Sequence, residues 1–285
     1  VQAVTYITRH RRWPPSLGFG GDGRFSPWRW HWRRPLPLVR RVILRHPSLP
    51  QAFDGLTIAQ VSDVHAGRFM TTERLEHVRR VICQLAPQLV VFTGDQLDRR
   101  DVDADLFVQS FAGLSAPLGV FGILGNHDYL AGRQLALTAL EAAGIRPLVN
   151  EVVSWQRGDA RLLLAGVDEV DAPRPFGPDF GILQSQQAHF RLLLCHQPRL
   201  WAEAIRHGAD VTLSGHTHGG QISPMGERFS LARLATRFVA GPYALGAHLL
   251  YVSRGVGVGA VPLRLGTWPE VDLITLHTGR PSFSW

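Results

Sequence analysis

From about residue 38 onward, short apolar runs alternate with amphipathic stretches, and the period of each stretch sets its type. Leu89–Thr93 is apolar without interruption up to its last residue, the pattern of a strand covered on both faces. Leu38–Arg45, Leu56–Ser62 and Val120–Leu124 read as further strands. Thr71–Leu85, Val102–Leu114 and Arg133–Ala143 carry apolar positions at helical spacing. Thr71 or Thr72 offers an N-cap to the first helix, and Gly144 closes the third. Past residue 150 the rhythm shifts. Val152–Trp155, Arg161–Val167, Phe190–Cys195 and Val211–Ser214 read as strands, with a helix near Leu200–His207. His248–Ser253, Pro262–Leu265 and Val271–His277 complete the set. This order predicts an α/β fold of two packed sheets flanked by helices rather than one doubly wound sheet.

Five polar clusters follow directly after predicted strands: Asp63-Val64-His65, Gly94-Asp95-Gln96-Leu97-Asp98, Gly125-Asn126-His127-Asp128, His196, and Gly215-His216-Thr217-His218. Residues at the carboxyl ends of sheet strands gather in one crevice, so clusters distant in sequence are expected in one site. Their side chains are nearly all Asp, Asn and His, a set that suits divalent first-row metals such as Mn, Fe or Zn. The set exceeds what one ion needs, and two ions about 3.5–4 Å apart form a clamp for displacement at phosphorus. In extended chain, His216 and His218 would point the same way, each serving a different ion. The neighbouring glycines allow tight turns and close approach of the backbone.

The formal charge of +7 is unevenly spread. Residues 1–46 hold ten arginines and one acid, Asp22, whereas the remaining 239 residues hold 20 arginines and 22 acids. A basic arm therefore precedes a nearly neutral body, a balance that counts against nucleic acid as the partner of the body. The arm up to about residue 37 contains Trp13, Trp28, Trp30 and Trp32 among prolines, and reads as a poorly ordered tail suited to an anionic membrane surface. Domain organisation is accordingly read as an arm over 1–46 and one domain over 47–285. No run reaches about 18 apolar residues, and no apolar stretch follows the arginine pairs at 11–12, 33–34 and 40–41. The expected location is cytoplasmic, peripheral to the inner membrane. Cys83 and Cys195 exclude a disulfide scaffold, and alternation turns Cys195 away from His196 into the core.

Over roughly residues 52–278, the motifs D-x-H, G-D-x-x-D, G-N-H-D, H and G-H-x-H resemble the calcineurin-like metallophosphoesterases. Gly215–Gln221 and Ser253-Arg254-Gly255-Val256-Gly257 look like the bacterial phosphodiesterase subgroup related to YkuE and YaeI. The resemblance implies a four-layer α-β-β-α sandwich of two mixed sheets. It implies Asp63, His65 and His218 on the first metal, Asn126, His196 and His216 on the second, and Asp95 bridging both. His127 would be the general acid, oriented by Asp98, with Asp128 a second candidate for that role. Mn²⁺ is the first choice of ion, with Fe and Zn as alternatives.

The expected reaction is hydrolysis of a small phosphodiester or pyrophosphate by a hydroxide held between the ions. The subgroup's resemblance to enzymes cleaving UDP-diacylglucosamine points to a lipid-linked or nucleotide-linked substrate and to lipid A biosynthesis. Met225, Phe229, Leu231, Phe238, Val239 and Tyr243, with Arg228, Arg233 and Arg237, would form an apolar rim, or else pack the loop on the body. Asp168–Gln187, rich in Pro and Gly, is the other loop expected to carry specificity. Arg99 and Arg100 are candidates for gripping a phosphate oxygen. Two other classes stand beside this reading. A nuclease recruited through the basic arm predicts strong salt dependence. A non-catalytic metal-binding scaffold predicts missing ligands, and none is missing.

Overall fold

The computed structural model describes residues 37–67, 69–98, 102–223, 230–234, 236–259 and 264–284. The arm up to residue 36, Arg99, Arg100, Met225, Arg228, Phe229, the side chain of Leu231 and the first half of the expected strand Pro262–Leu265 lie outside them.

Two sheets form. The first contains β1 (Leu38–His46), β2 (Leu56–Val61), β3 (Leu89–Thr93), β4 (Val120–Ile123), β5 (Arg146–Pro147), β12 (Glu270–Thr278) and β13 (Ser282–Ser284), in the order β13-β1-β12-β2-β3-β4-β5. The second contains β6 (Glu151–Arg157), β7 (Ala160–Gly166), β8 (Phe190–Leu194), β9 (Val211–Ser214), β10 (Gly241–Leu245) and β11 (His248–Val252), in the order β10-β11-β9-β8-β7-β6. Strands β2 to β5 are mutually parallel, as are β7, β8, β9 and β11, while β12 runs antiparallel to β2.

Alternation along the strands sorts the core into layers. In β3, Leu89 and Val91 enter the core between the sheets, and Val90 and Phe92 face the helix layer. That layer consists of α1 (Thr72–Leu85), α2 (Val102–Phe111) and α4 (Arg133–Ala142), with the short α3 (Asn126–Ala131) at its edge. In β8, Leu192 and Leu194 face the other sheet, whereas Leu193 and Cys195 face the outer cluster of α5 (Trp201–Arg206) with Trp201 and Ala204. The result is the expected α-β-β-α sandwich. Cys195 is buried on the outer face, as alternation requires.

Thr71 holds the N-cap position of α1, but its side chain makes no capping bond. The sequence pattern does not mark α3, β5, β10 or β13, each six residues or fewer. The two- and three-residue strands and the six-residue helix are too short for periodicity to speak, and Gly241 and Pro242 mask β10. Residues 38–46, rich in arginine, form the full length of β1, paired in parallel with β12 from Leu38↔Glu270 to His46↔Thr278.

Candidate metal centre

All five polar clusters meet at the carboxyl ends of β2, β3, β4, β8 and β9. Backbone bonds lace their loops together. Asp63 N–H donates to Gly94 O (3.0 Å), His65 N–H to Asp95 O (3.0 Å), Gly215 N–H to His196 O (3.0 Å) and Ser253 N–H to Ser214 O (2.8 Å). The two sheets are also joined here, where Gln60 Nε2 donates to Thr93 Oγ1 and to Ser214 O.

Two trios of ligand atoms result: Asp63, His65 and His218, then Asp95, His196 and His216. The Asp95 carboxylate lies between them, with Oδ2 3.3 Å from His196 Nε2 and 3.6 Å from His65 Nε2. Asn126 Oδ1 is 2.9 Å from His216 Nδ1, beside the second trio. The Asp63 carboxylate accepts the His216 N–H with both oxygens, at 2.9 and 3.2 Å. A third grouping joins His65, Asp98 and His127.

Five of these residues hold the left-handed backbone: Asp63 (φ 52°), His65 (46°), Asp95 (57°), His216 (73°) and His218 (52°). Asp and His enter this region more readily than bulkier residues, yet each such conformation still stores on the order of 1 kcal/mol or more. This corrects the extended-chain reading of His216-Thr217-His218. The chain leaves β9 at Ser214 and turns, and it is the turn that sends the two imidazoles to different trios.

The electrostatics are those of a crowded ionic site. Burial, and after it Asp95, lifts the Asp63 carboxyl above its usual range, against the pull of His196. Burial works equally against ionised Asp95, but His196, His65 and His127 outweigh it and hold that carboxyl low. Burial disfavours a charged His196, yet Asp95 and Asp63 raise it; burial and the neighbouring imidazoles push His218 down and His216 to about 4.

The donor set fits divalent cations. His196 Nδ1 sits 2.7 Å from Thr93 O, a carbonyl that only accepts, so Nδ1 carries a proton and Nε2 is the nitrogen that would face an ion. Among the described residues, that Nε2 has no hydrogen-bond partner, and neither has buried His65 Nδ1. His65 Nε2 and His218 Nε2 face each other at 3.0 Å. Buried carboxylates and lone pairs converging this way suit Mn, Fe or Zn.

His127 stands at the edge of the trios, its ring 4.5 Å from that of His65, edge to face. Its Nδ1 donates to the Asp98 carbonyl at 3.1 Å and lies 3.4 Å from Asp98 Oδ1, so Asp98 reaches the ring with both backbone and side chain. Asp128 does other work. Its two oxygens accept the N–H groups of Leu97 (3.0 Å) and Gly125 (2.9 Å), fastening the start of α3 to the Asp95 loop. Its burial, and Asp95 after that, lift its pKa to about 7.

Of the two readings of the 222–247 apolar residues, those described follow the second and pack on the body. Val239 and Tyr243 are buried, and Phe238 packs edge-on against Trp201 and Tyr243. Among the described residues, the large exposed apolar side chains outside β1 are Leu130 (61%), three residues beyond His127 on α3, and Phe176 (44%), under the Arg133 guanidinium. A cavity of about 450 Å³ opens beside His216 and Thr217, with Asp171, Gln197 and Arg199 on its wall. The 168–187 segment contributes Asp168, which accepts the Tyr129 hydroxyl at 2.8 Å, and Asp171. Sequence reasoning missed Gln197, which follows His196 and donates to Glu169 and to Asp171; its only signal is that adjacency.

A family model described as calcineurin-like phosphoesterase matches residues 56–220. An uncharacterized metallophosphoesterase of Aquifex aeolicus is 35% identical over 84% of this chain and 91% of its own length. The metallophosphoesterase YkuE of Bacillus subtilis is 31% identical over 82% of this chain and 84% of its own. Among solved structures, calcineurin-like phosphoesterase YfkN from Bacillus subtilis aligns with TM-score 0.44 and 13% identity, over 71% of this chain and 82% of that one.

Proposed function

The chain belongs to the calcineurin-like phosphoesterase family, and from that premise we propose that it is a two-metal hydrolase of phosphodiesters or pyrophosphates. The observation that carries this reading is the pair of ligand trios with Asp95 between them and His127 at their edge. Asp63, His65 and His218 would hold one divalent ion, and Asn126, His196 and His216 the other, Mn²⁺ being the first choice. When bound, two such ions supply Lewis acidity for the phosphoryl oxygens and ease the ionisation of water.

The remaining chemistry belongs to the protein. The Asp98 carbonyl accepts the hydrogen bond of His127 Nδ1–H, which leaves Nε2 as the nitrogen to deliver a proton to the departing oxygen, a contribution of about 10²–10⁴-fold. His127 N–H donates to Asp95 Oδ1 at 2.8 Å, which ties this acid to the shared carboxylate. The left-handed turns and their backbone bonds hold the groups in place before substrate arrives, the condition under which positioning accelerates a reaction. The cavity beside His216 has room for the second ester group, which favours a diester over a monoester.

For the substrate's remainder, exposed Leu130, one helical turn beyond His127, and exposed Phe176, beside Tyr129 of the same helix, suit a greasy group, such as that of UDP-diacylglucosamine. The register Leu38↔Glu270 puts the start of β1 at the site end of the sheet, because Glu270 N–H donates to Gly255 O beside Asp63. The Arg/Trp-rich arm thus joins the body at that end, which supports a peripheral contact with anionic membrane. Among the described residues no helix is long and apolar enough to cross one.

Hydrolysis of bis-p-nitrophenyl phosphate beside p-nitrophenyl phosphate, by metal-stripped protein titrated with Mn²⁺, tests the reaction class. Metal-dependent turnover favouring the diester, absent in Asp95→Asn, is expected. Turnover that ignores the metal, or persists in the variant, rejects the assignment.

A further inference from the structure

Arg264 is almost fully buried (4% exposed) and spends its donors on backbone carbonyls. Its Nε donates to Gly257 O at 2.8 Å, Nη2 to Gly255 O at 3.1 Å and again to Gly257 O, and Nη1 to His218 O at 3.4 Å. The same Nη2 lies 3.2 Å from the His218 ring. The strap formed by Gly255–Gly257 is itself tied to the first ligand loop. Val256 N–H donates to Ser62 O (3.0 Å) and Gly257 N–H to Asp63 O (2.8 Å). A Cβ on Gly255 would stand 2.6 Å from the Cβ of Asp63, so strap and loop touch without room between them.

One guanidinium therefore joins both limbs of the first trio, gripping His218 directly and Asp63 through the strap. We propose that Arg264 is the positioning residue of the Asp63–His65–His218 site, holding the two left-handed turns at the spacing an ion requires. The proposal rests on the two-ion reading above. A residue in a strained conformation stays there only when its surroundings over-determine it, and Asp63 and His218 are both such residues. The neighbouring Arg254 is different in kind, since Glu270 takes its Nη1 with both carboxylate oxygens.

Charge is a poor reason for Arg264 to be here, because a buried cation beside a cation site opposes binding. The planar fork is the better reason, since five fixed N–H donors reach three carbonyls at once and a lysine ammonium cannot. Two members of the second trio have anchors outside the reach of Arg264, His196 on Thr93 O and Asp95 in its own loop, while His216 alone leans on the first trio through the Asp63 carboxylate. The effect of losing Arg264 should therefore fall on one ion.

Calorimetric titration of the metal-stripped full chain with Mn²⁺ tests this, using wild type, Arg264→Lys, Arg264→Gln, His216→Ala and the Arg264→Gln/His216→Ala double variant. Wild type should take up two ions. Both arginine variants should weaken one site about 10–100-fold and leave the other within about threefold. His216→Ala should weaken the opposite site, and the double variant both. Wild-type affinity at both sites in either arginine variant overturns the proposal, and rescue by Lys does so by making charge sufficient. Equal loss at both sites overturns it too, since it reports general damage. Should Arg264→Gln fail to fold, as read from the melting of the metal-free protein, Arg264→Lys decides. A wild type that binds no Mn²⁺ rejects the two-ion reading and this proposal with it, whereas two ions bound with wild-type affinity in both arginine variants rejects only this one.

Discussion

The turns at the two ends of the sheets are built from different residues. Away from the ligand trios, Gly158 closes the β6–β7 hairpin and Gly246 the β10–β11 hairpin, each at φ 60°, and a Cβ on either would meet nothing within 4 Å. Glycine is used there for its conformation alone. At the ligand end the roles are exchanged. Left-handed positions are filled by Asp63, His65, Asp95, His216 and His218, while Gly125 is extended (φ −115°) but has no room for a side chain. A Cβ on Gly125 would collide with the Asp95 carboxylate and come within 2.8 Å of His196 Nε2. One end is shaped for easy turning and the other for packing ligands together at a cost in backbone strain. Substitutions should therefore damage activity at one end and only stability at the other.

The largest expected effect follows Asp95→Asn, which keeps the shape and tolerates the left-handed backbone but removes the charge between the trios. Turnover of the diester should fall about 10³-fold or more, and elemental analysis should find fewer than two Mn²⁺ per chain. A variant within tenfold of wild type, with both ions retained, would remove Asp95 from the centre of the site.

A matched pair of glycine substitutions comes next. Gly125→Ala should lower turnover about 10²-fold, comparable with a misplaced catalytic group, although the backbone there suits any residue. Gly158→Ala should leave turnover unchanged and lower the stability read from a urea titration by about 1 kcal/mol through the strained φ alone. Equal activity in the two variants would erase the distinction between the ends.

Much of this was legible in the sequence, and the reason is periodicity. Leu89–Thr93 and Phe190–Cys195 sort cleanly into faces because a strand alternates without exception over four or five residues, and the motifs stand where those strands end. Conformation after the strands was not legible. Nothing in His216-Thr217-His218 tells a turn from an extended chain, since the turn is imposed by Asp63 accepting the His216 N–H from another loop. Asp128 misled for a related reason. Adjacency to His127 suggested chemistry, whereas the first turn of α3 swings its carboxylate onto Gly125 and Leu97. Arg264 gave no signal, because its partners are carbonyls and a sequence does not display which carbonyls converge.

At the far end, His46 gives the comparison a pH dependence. Burial, and after it His248, pushes this imidazole down to about 4, against about 6.5 in an unfolded chain. Between those values the unfolded chain binds a proton that the folded one refuses. Its contribution is intact above about pH 6.5 and is lost as pH falls towards 4, up to about 3 kcal/mol. Urea midpoints at pH 7.5 and 5 should converge in His46→Gln, whose amide still accepts the Ser48 N–H that His46 Nδ1 receives at 3.1 Å. An unchanged pH slope in the variant would acquit His46.

The smallest effect tests whether end or face decides. Cys195 sits at the ligand end, adjacent to His196, and a thiol there invites reading as a nucleophile. Its side chain nevertheless joins Leu163, Ala165, Leu193 and Trp201 on the outer face, and burial, ahead of Glu169, pushes the thiol well up, away from thiolate. Its Sγ lies 3.5 Å from Gln197 O, a weak bond whose loss the core can absorb. Cys195→Ala should therefore cost about 1 kcal/mol in a urea titration and leave diester turnover within about twofold. A variant that folds and binds two Mn²⁺ but no longer turns over would bring the thiol into the site. Retained activity would mean that proximity to the ligands along the chain counts for nothing unless the pleat also points the side chain at them.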